Sequence, residues 1–208
     1  MDDHEAWKKY PNHRKWFNKL YIADLFGYHC GPSGILPDHS GKYVVRPTYN
    51  LSGMGVGATV VYHTPDNPIC VPLGYFWCQY LHGSQYSVTY KFHGSWIPVS
   101  SFKGNNHDHA LWEFTRWERI DYSPEFPEKI RGLEDVGLIN VEFKDNSPFE
   151  VHLRDSPDPM YDIFIPIWLG QEHKIPLMEE QGYIFVSSYE DADGFLLIPR
   201  IGFMAKNH

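Results

Sequence analysis

The chain has little of what usually marks a class at a glance. Its three cysteines, Cys30, Cys70 and Cys78, are odd in number and contain no CxxC pair. No disulfide framework can be drawn from them, and such usage suits a reducing compartment. No segment approaches the roughly 18 apolar residues that a membrane helix needs. The opening MDDHEAWKKYPNHRKWFNK is charged where a signal peptide would be apolar, so the expected location is cytoplasmic, with no membrane partner. Dense Lys/Arg blocks are missing too: 18 basic residues stand against 26 acidic ones, a formal net charge of −8. That balance argues against sequence-independent nucleic-acid binding, whose affinity comes from neutralising phosphates. There is no GxxxxGK[ST] phosphate loop, no nucleophile elbow, no internal repeat and no low-complexity stretch.

What is present is a globular composition, 42% hydrophobic and 16% aromatic over 208 residues. This is enough for one sizeable core, or for two small lobes sharing a cleft. Residues 5–26 carry Trp16, Leu20, Ile22 and Phe26 near helical spacing, with Pro11 starting or breaking a helix and Gly27 as a stop. A loop over GYHCGPSGILPDHSG leads to the strand KYVVRP. Further strand-like runs are ATVVYH, YFWCQYL, YSVTYKFHG and SWIPVSSF, the last two joined at Gly94-Ser95. ALWEFTRWERI fits a short helix or a strand, and SPEFPEKIRGL reads as a capped helix. GLINVEF and PFEVHLR form two strands joined by KDNS, and β-type pieces DIFIPIWL, YIFVSS and GFLLIPRIGF follow. Long β runs with few helices predict an α+β fold.

Three constellations could carry chemistry. In YVVRPTYNLSGMGVG, a strand ends at Arg46 and opens into a loop with Gly53, Gly55 and Gly57. Glycines let backbone N–H groups approach an anion without Cβ interference. The loop is therefore either an anion cradle or an ordinary hairpin connection. Second, Glu142 lies in INVEF, with Glu150 and His152 two apart on FEVHLR. A hairpin would bring all three to one face, as two carboxylates and a third donor for Mg²⁺, or as solvated surface residues. Third, NNHDH offers His107, Asp108 and His109, where HxH could supply two imidazoles to zinc but no further ligand is placed nearby.

Taken in order, the segments NKLYIADLFGYHCGP, VVRPTYNLSGMGVGA, WCQYLHGSQYSV and INVEFKDNSPFEVHLRDSP resemble the ATP-grasp superfamily over about residues 18–158. The compact form is similar to small ATP-grasp-like proteins of large tailed phages. The resemblance implies ATP held between two antiparallel sheets of two small α+β lobes, with the N-terminal substrate domain absent or reduced. It divides the chain into an N-lobe (18–82) with flap and hinge, a C-lobe (83–158) with the metal-binding hairpin, and an extension (159–208). The extension's role is open among core strand, cleft closure and dimer or partner contact.

By position, the resemblance makes Lys19 the first phosphate-contacting Lys and puts Arg46 where a second Lys normally sits. Ser52, Gly53, Met54 and Gly55 become the flap over the phosphates, and Gln79, Tyr80 and Leu81 the hinge at the adenine edge. Gln85 takes the place of a ribose-binding Glu, and Lys103 that of a further phosphate-side Lys. Glu142, Glu150 and His152 become the metal ligands, with His in place of the family's Asn. Arg154 is either a catalytic contact to phosphate or acyl group, or a surface partner of Asp155 or Asp158. The implied cofactors are ATP and Mg²⁺, and the implied reaction is ligation of a carboxylate to an amine or thiol through an acylphosphate. The replacements at Arg46, Gln85 and His152 keep two alternatives open: a nucleotide-binding module or pseudoenzyme acting through a protein partner, and an ATP-grasp phosphotransferase.

Overall fold

The computed structural model describes all of the chain except residues 52–54, 56, 108–109, 157–160 and 188–199, and also leaves the side chains of 107, 110 and 112 undescribed. The chain begins with α1 (Asp3–Lys9). Its start is fixed by a capping box in which the Asp2 carboxylate accepts from the Glu5 N–H while Glu5 accepts from the Asp2 N–H. A 3₁₀ helix over Pro11–Phe17 begins at Pro11, whose fixed φ and missing N–H suit a first helical position. After it, α2 (Lys19–Phe26) is capped by the Asn18 side chain and ends at Gly27.

A first antiparallel sheet follows, ordered β1-β4-β2-β3. Its strands are β1 (Cys30–Pro32), β2 (Gly41–Pro47), β3 (Thr59–His63) and β4 (Tyr75–Gln79). A part of the expected loop after Gly27 is thus the short edge strand β1, paired Cys30 to Cys78. Three residues are too few to leave a periodic pattern in the sequence.

The second sheet is also antiparallel, with eight strands ordered β11-β12-β10-β7-β6-β5-β8-β9. These are β5 (Gln85–Phe92), β6 (Trp96–His107), β7 (Ala110–Arg119), β8 (Leu138–Lys144), β9 (Ser147–His152), β10 (Ile163–Trp168), β11 (Ile184–Ser187) and β12 (Arg200–Lys206). The segment from Ala110 is a strand. Residues 123–133 are not the expected capped helix: Pro127 cannot donate the first helical hydrogen bond, to the Ser123 carbonyl, and it drives Phe126 away from helical φ/ψ, so the segment forms turns with Ile130 N–H donating to Pro127 C=O. Three strands from the C-terminal fifty residues lengthen the sheet beyond β7, with Phe164 opposite Trp117. A short helix, α3 (Lys174–Glu179), lies between two of them.

The main core fills the space between the helices and one face of the second sheet. Trp16, Phe17 and Ile22 pack there with Val88, Tyr90, Ile139, Val141, Val151 and Leu153, all buried. Burying each such side chain contributes about 1.5–3 kcal/mol. The other face of β5, β8 and β9 is thereby left toward the first sheet, and a cleft of about 350 Å³ opens between them. No helix among the described residues is long and apolar enough to cross a membrane.

Candidate active site

The period-two geometry of the β8–β9 hairpin builds the site. Ile139, Val141 and Phe143 point into the core with Val151, so Asn140, Glu142, Glu150 and His152 must face the cleft. Register then does the rest: Glu142 stands directly opposite Glu150, and Asn140 opposite His152. Single ligand atoms of Glu142, Glu150 and His152 lie within 4.8 Å of one another.

Two like charges on a cross-strand pair repel, and the structure answers with cations from elsewhere. The Lys19 N–H donates to the Thr48 carbonyl at 2.9 Å, which ties the first turn of α2 to the end of β2 and sets Lys19 beside Arg46. Glu150 Oε1 accepts from Lys19 Nζ at 2.6 Å and from Arg46 Nη1 at 2.8 Å, and Arg46 Nη2 donates to the Phe149 carbonyl. All three side chains are nearly buried. Burial opposes charge on Glu150, but Lys19, Arg46 and His152 overcome it and hold its pKa at about 2. Glu142 is held by Gln85, whose Nε2 donates to Glu142 Oε2 at 2.8 Å. Behind it, Asn140 donates to Ser87 and Thr89, and Thr89 to Asp155, so the floor of the cleft is a satisfied polar network.

His152 has a partner that spacing within the hairpin does not suggest. Its Nδ1 meets Asp3 Oδ2 at 2.9 Å, and Arg154 grips the same carboxylate through Nε to Oδ1 at 2.8 Å and Nη2 to Oδ2 at 2.9 Å. Asp3 is 2% exposed. Burial raises its pKa, yet His152 and Arg154 hold it well below the usual carboxylate range. Burial likewise opposes charge on His152, but Asp3 outweighs it and raises the imidazole to about 9. The other ring nitrogen, Nε2, is buried without a hydrogen-bond partner among the described residues. It sits 3.6 Å from both Glu142 Oε1 and Glu150 Oε2.

Arg46, Gln85, Glu142, Glu150, His152 and Arg154 line one cleft, and Lys19 joins them through Glu150 from a small cavity behind it. Gln79, Tyr80 and Leu81, between β4 and β5, line the same cleft. Gln79 is tied at both ends of its residue, N–H to the His29 carbonyl and Oε1 from the His29 N–H. Tyr80 carries the Lys42 ammonium 3.8 Å from its ring centroid. Of the glycine loop, Gly55 lines the cleft, while Ser52, Gly53 and Met54 lie outside the described residues. Gly57 has φ +78°, and a Cβ there would meet Tyr75 Oη at 2.9 Å and Pro47 Cγ at 3.1 Å, so only glycine suits this return of the loop.

Lys103 is set apart. It is the register partner of Tyr86, 6.0 Å from that ring, on the sheet face opposite Gln85, Ser87 and Phe102. Arg154 pairs with Asp3 and donates to the backbone carbonyl of Asp155, not to an Asp155 carboxylate. Asp108, His109 and Asp158 fall outside the described residues, as does the His107 side chain. Sequence spacing missed Asp3, 149 residues before His152, whose only local signal is an acid in a helix first turn. It also missed the aromatic wall of Phe114, Trp117, Phe164 and Trp168 that bounds the rest of the cleft. Four aromatics on two strands far apart in the chain, β7 and β10, show no motif until the sheet order is known.

No family model matches the chain and no curated protein matches it, whereas its fold matches solved structures. One is carboxyaminoimidazole ribonucleotide synthase from Aspergillus clavatus complexed with ATP, at TM-score 0.58 and 8% identity, covering 99% of this chain and 74% of that one. Another is N5-carboxyaminoimidazole synthetase from Staphylococcus aureus complexed with ADP, at TM-score 0.53 and 10% identity, covering 93% and 68%. Two sheets facing each other across a cleft, with a carboxylate hairpin on one and a glycine loop on the other, give this chain the fold of the ATP-grasp superfamily.

Proposed function

We propose that the protein is an ATP-dependent ligase that joins a carboxylate to an amine, or to a thiol, through an acylphosphate. The observation that carries this reading is the convergence of two nearly buried cations, Lys19 and Arg46, on Glu150, which faces Glu142 across the hairpin in a cleft between two sheets. Buried cations with one shared anion are poised to exchange it for phosphate oxygens. The similar structures that hold ATP or ADP support nucleotide in this cleft.

In the proposed reaction a substrate carboxylate oxygen attacks the γ-phosphorus of ATP, and the bond to the β-phosphate oxygen breaks with release of ADP. The amine then attacks the acyl carbon, inorganic phosphate leaves and the amine proton is lost to solvent. Lys19 and Arg46 neutralise charge that develops on the transferred group, and such preorganised donors supply the largest part of catalysis in sites of this kind. Gln79, Tyr80, Leu81 and Gln85 orient the nucleoside.

Glu142, Glu150 and His152 fit a divalent cation. Three donors converge, and the buried Nε2 has no other partner among the described residues. Mg²⁺ held by Glu142, Glu150 and His152 would supply positive charge that screens the phosphates. The placement of Lys103 away from the cleft favours one alternative, a nucleotide-binding module that acts through a partner protein without transfer.

Thermal unfolding with and without Mg²⁺·ATP tests the binding step. Ligand at a hundred times its dissociation constant stabilises by about 2.7 kcal/mol, and Glu142→Gln should abolish the metal-dependent part. ADP release from ATP with mixed carboxylates and amines tests the chemistry. Binding without any ADP release would favour the binding module, and absence of binding would refute both readings.

A further inference from the structure

We propose that this site selects a first-row transition dication such as Mn²⁺ over Mg²⁺, with His152 as a nitrogen ligand and Asp3 as its positioning residue. The inference rests on the nucleotide-and-metal reading above and names its cation.

The geometry settles which nitrogen is available. Nδ1 is committed to Asp3 at 2.9 Å, and Arg154 holds both oxygens of Asp3, so the ring cannot turn without breaking a buried network. That leaves Nε2, buried, without a hydrogen-bond partner among the described residues, and equidistant at 3.6 Å from one oxygen of each glutamate, where a bound dication would displace the Nε2 proton to solvent. A carboxylate that receives the distal N–H of a ligating imidazole fixes its tautomer and orientation and raises its basicity. Asp3 and His152 stand in that relation. Only Glu150 Oε2 is free of the Lys19 and Arg46 contacts that Oε1 accepts, and it is the oxygen that faces His152.

The resulting donor set is one imidazole and two carboxylates. Mg²⁺ favours an all-oxygen octahedron and gains little from nitrogen, whereas imidazole suits first-row transition ions. An exclusively structural His152, whose role is to bridge Asp3 to the hairpin, would leave metal preference unchanged when replaced.

The test uses the full chain, labelled with ¹⁵N-histidine, with Mn²⁺ and unlabelled ADP, so that the nucleotide's own nitrogens are not counted. Pulsed electron paramagnetic resonance on the wild type should show one directly coordinated ¹⁵N, lost in His152→Gln. Competition binding should show Mn²⁺ preferred over Mg²⁺, with the preference falling about tenfold in His152→Gln and affinity for Mn²⁺ falling about 10–100-fold in Asp3→Asn, the range for loss of an outer-shell partner. The wild-type spectrum needs no variant to fold. Mn²⁺ bound without nitrogen coupling, or an unchanged Mn²⁺/Mg²⁺ ratio in His152→Gln, would overturn this inference and leave the ligase reading standing. ADP binding without Mn²⁺ would do the same. Binding of neither ADP nor Mn²⁺ would overturn both.

Discussion

Replacing Glu150 by Gln removes one charge and almost no volume, so its cost reports electrostatics. In the wild type Glu150 Oε1 is 2.6 Å from Lys19 Nζ and 2.8 Å from Arg46 Nη1, with side-chain exposures of 11%, 10% and 12%. At an effective dielectric of about 20, each pair attracts by about 6 kcal/mol. Most of that gross figure is offset because a neutral amide need not be desolvated as a carboxylate is. The remainder is the cost of two nearly buried cations left beside each other without an anion, about 3–5 kcal/mol for breaking a buried pair. For a chain of this length that lowers the midpoint by roughly 10 °C. The assay is thermal and urea unfolding at neutral pH without nucleotide, for wild type and Glu150→Gln. If Lys19 and Arg46 form a phosphate cradle, inorganic tripolyphosphate should restore more stability to the variant than to the wild type, because it supplies the missing anion. A loss below about 1 kcal/mol, the range of exposed pairs, would refute the reasoning.

Two other predictions concern pH and backbone. In metal-free protein the folded pKa of His152 is raised from 6.5 to about 9, so its contribution to stability is fully present below about pH 6.5 and is lost as pH rises through 9. Urea midpoints at pH 6, 8 and 10 should fall in the wild type by a margin on the order of 3 kcal/mol, and a flat profile would show that Asp3 does not hold the proton there. Gly83 has φ +109°, and a Cβ there would collide with the Asp145 carboxylate that accepts from the Ser84 N–H. Gly83→Ala should therefore destabilise by about 1–3 kcal/mol, read as a lower thermal midpoint, and a neutral result would mean the turn between β4 and β5 relaxes freely.

Much of the site was legible because its parts are local. Alternation alone put Glu150 and His152 on one face, and the KDNS turn between two apolar runs brought Glu142 across from them. Arg46 at the end of a strand and glycines after it were visible as a candidate anion loop. The order of these segments carried the resemblance to the ATP-grasp superfamily, which the fold comparison supports. Where local signals competed, the reading failed. Residues 123–133 have the acids and caps of a helix start, but Pro127 and packing of Ile130 and Leu133 into the core decide for turns.

Sequence by itself determined the α+β class, the paired carboxylates and the glycine loop, since each depends on period, turn chemistry or charge within a few residues. Tertiary structure alone decided that Lys103 faces away from Gln85, because one strand's parity is invisible until its neighbours are paired. It alone closed the ring of Asp3, His152 and Arg154, and set Phe164 and Trp168 in the cleft beside residues far back in the chain. Those contacts join segments that share no periodicity, and only the burial of a common core brings them within reach of one another.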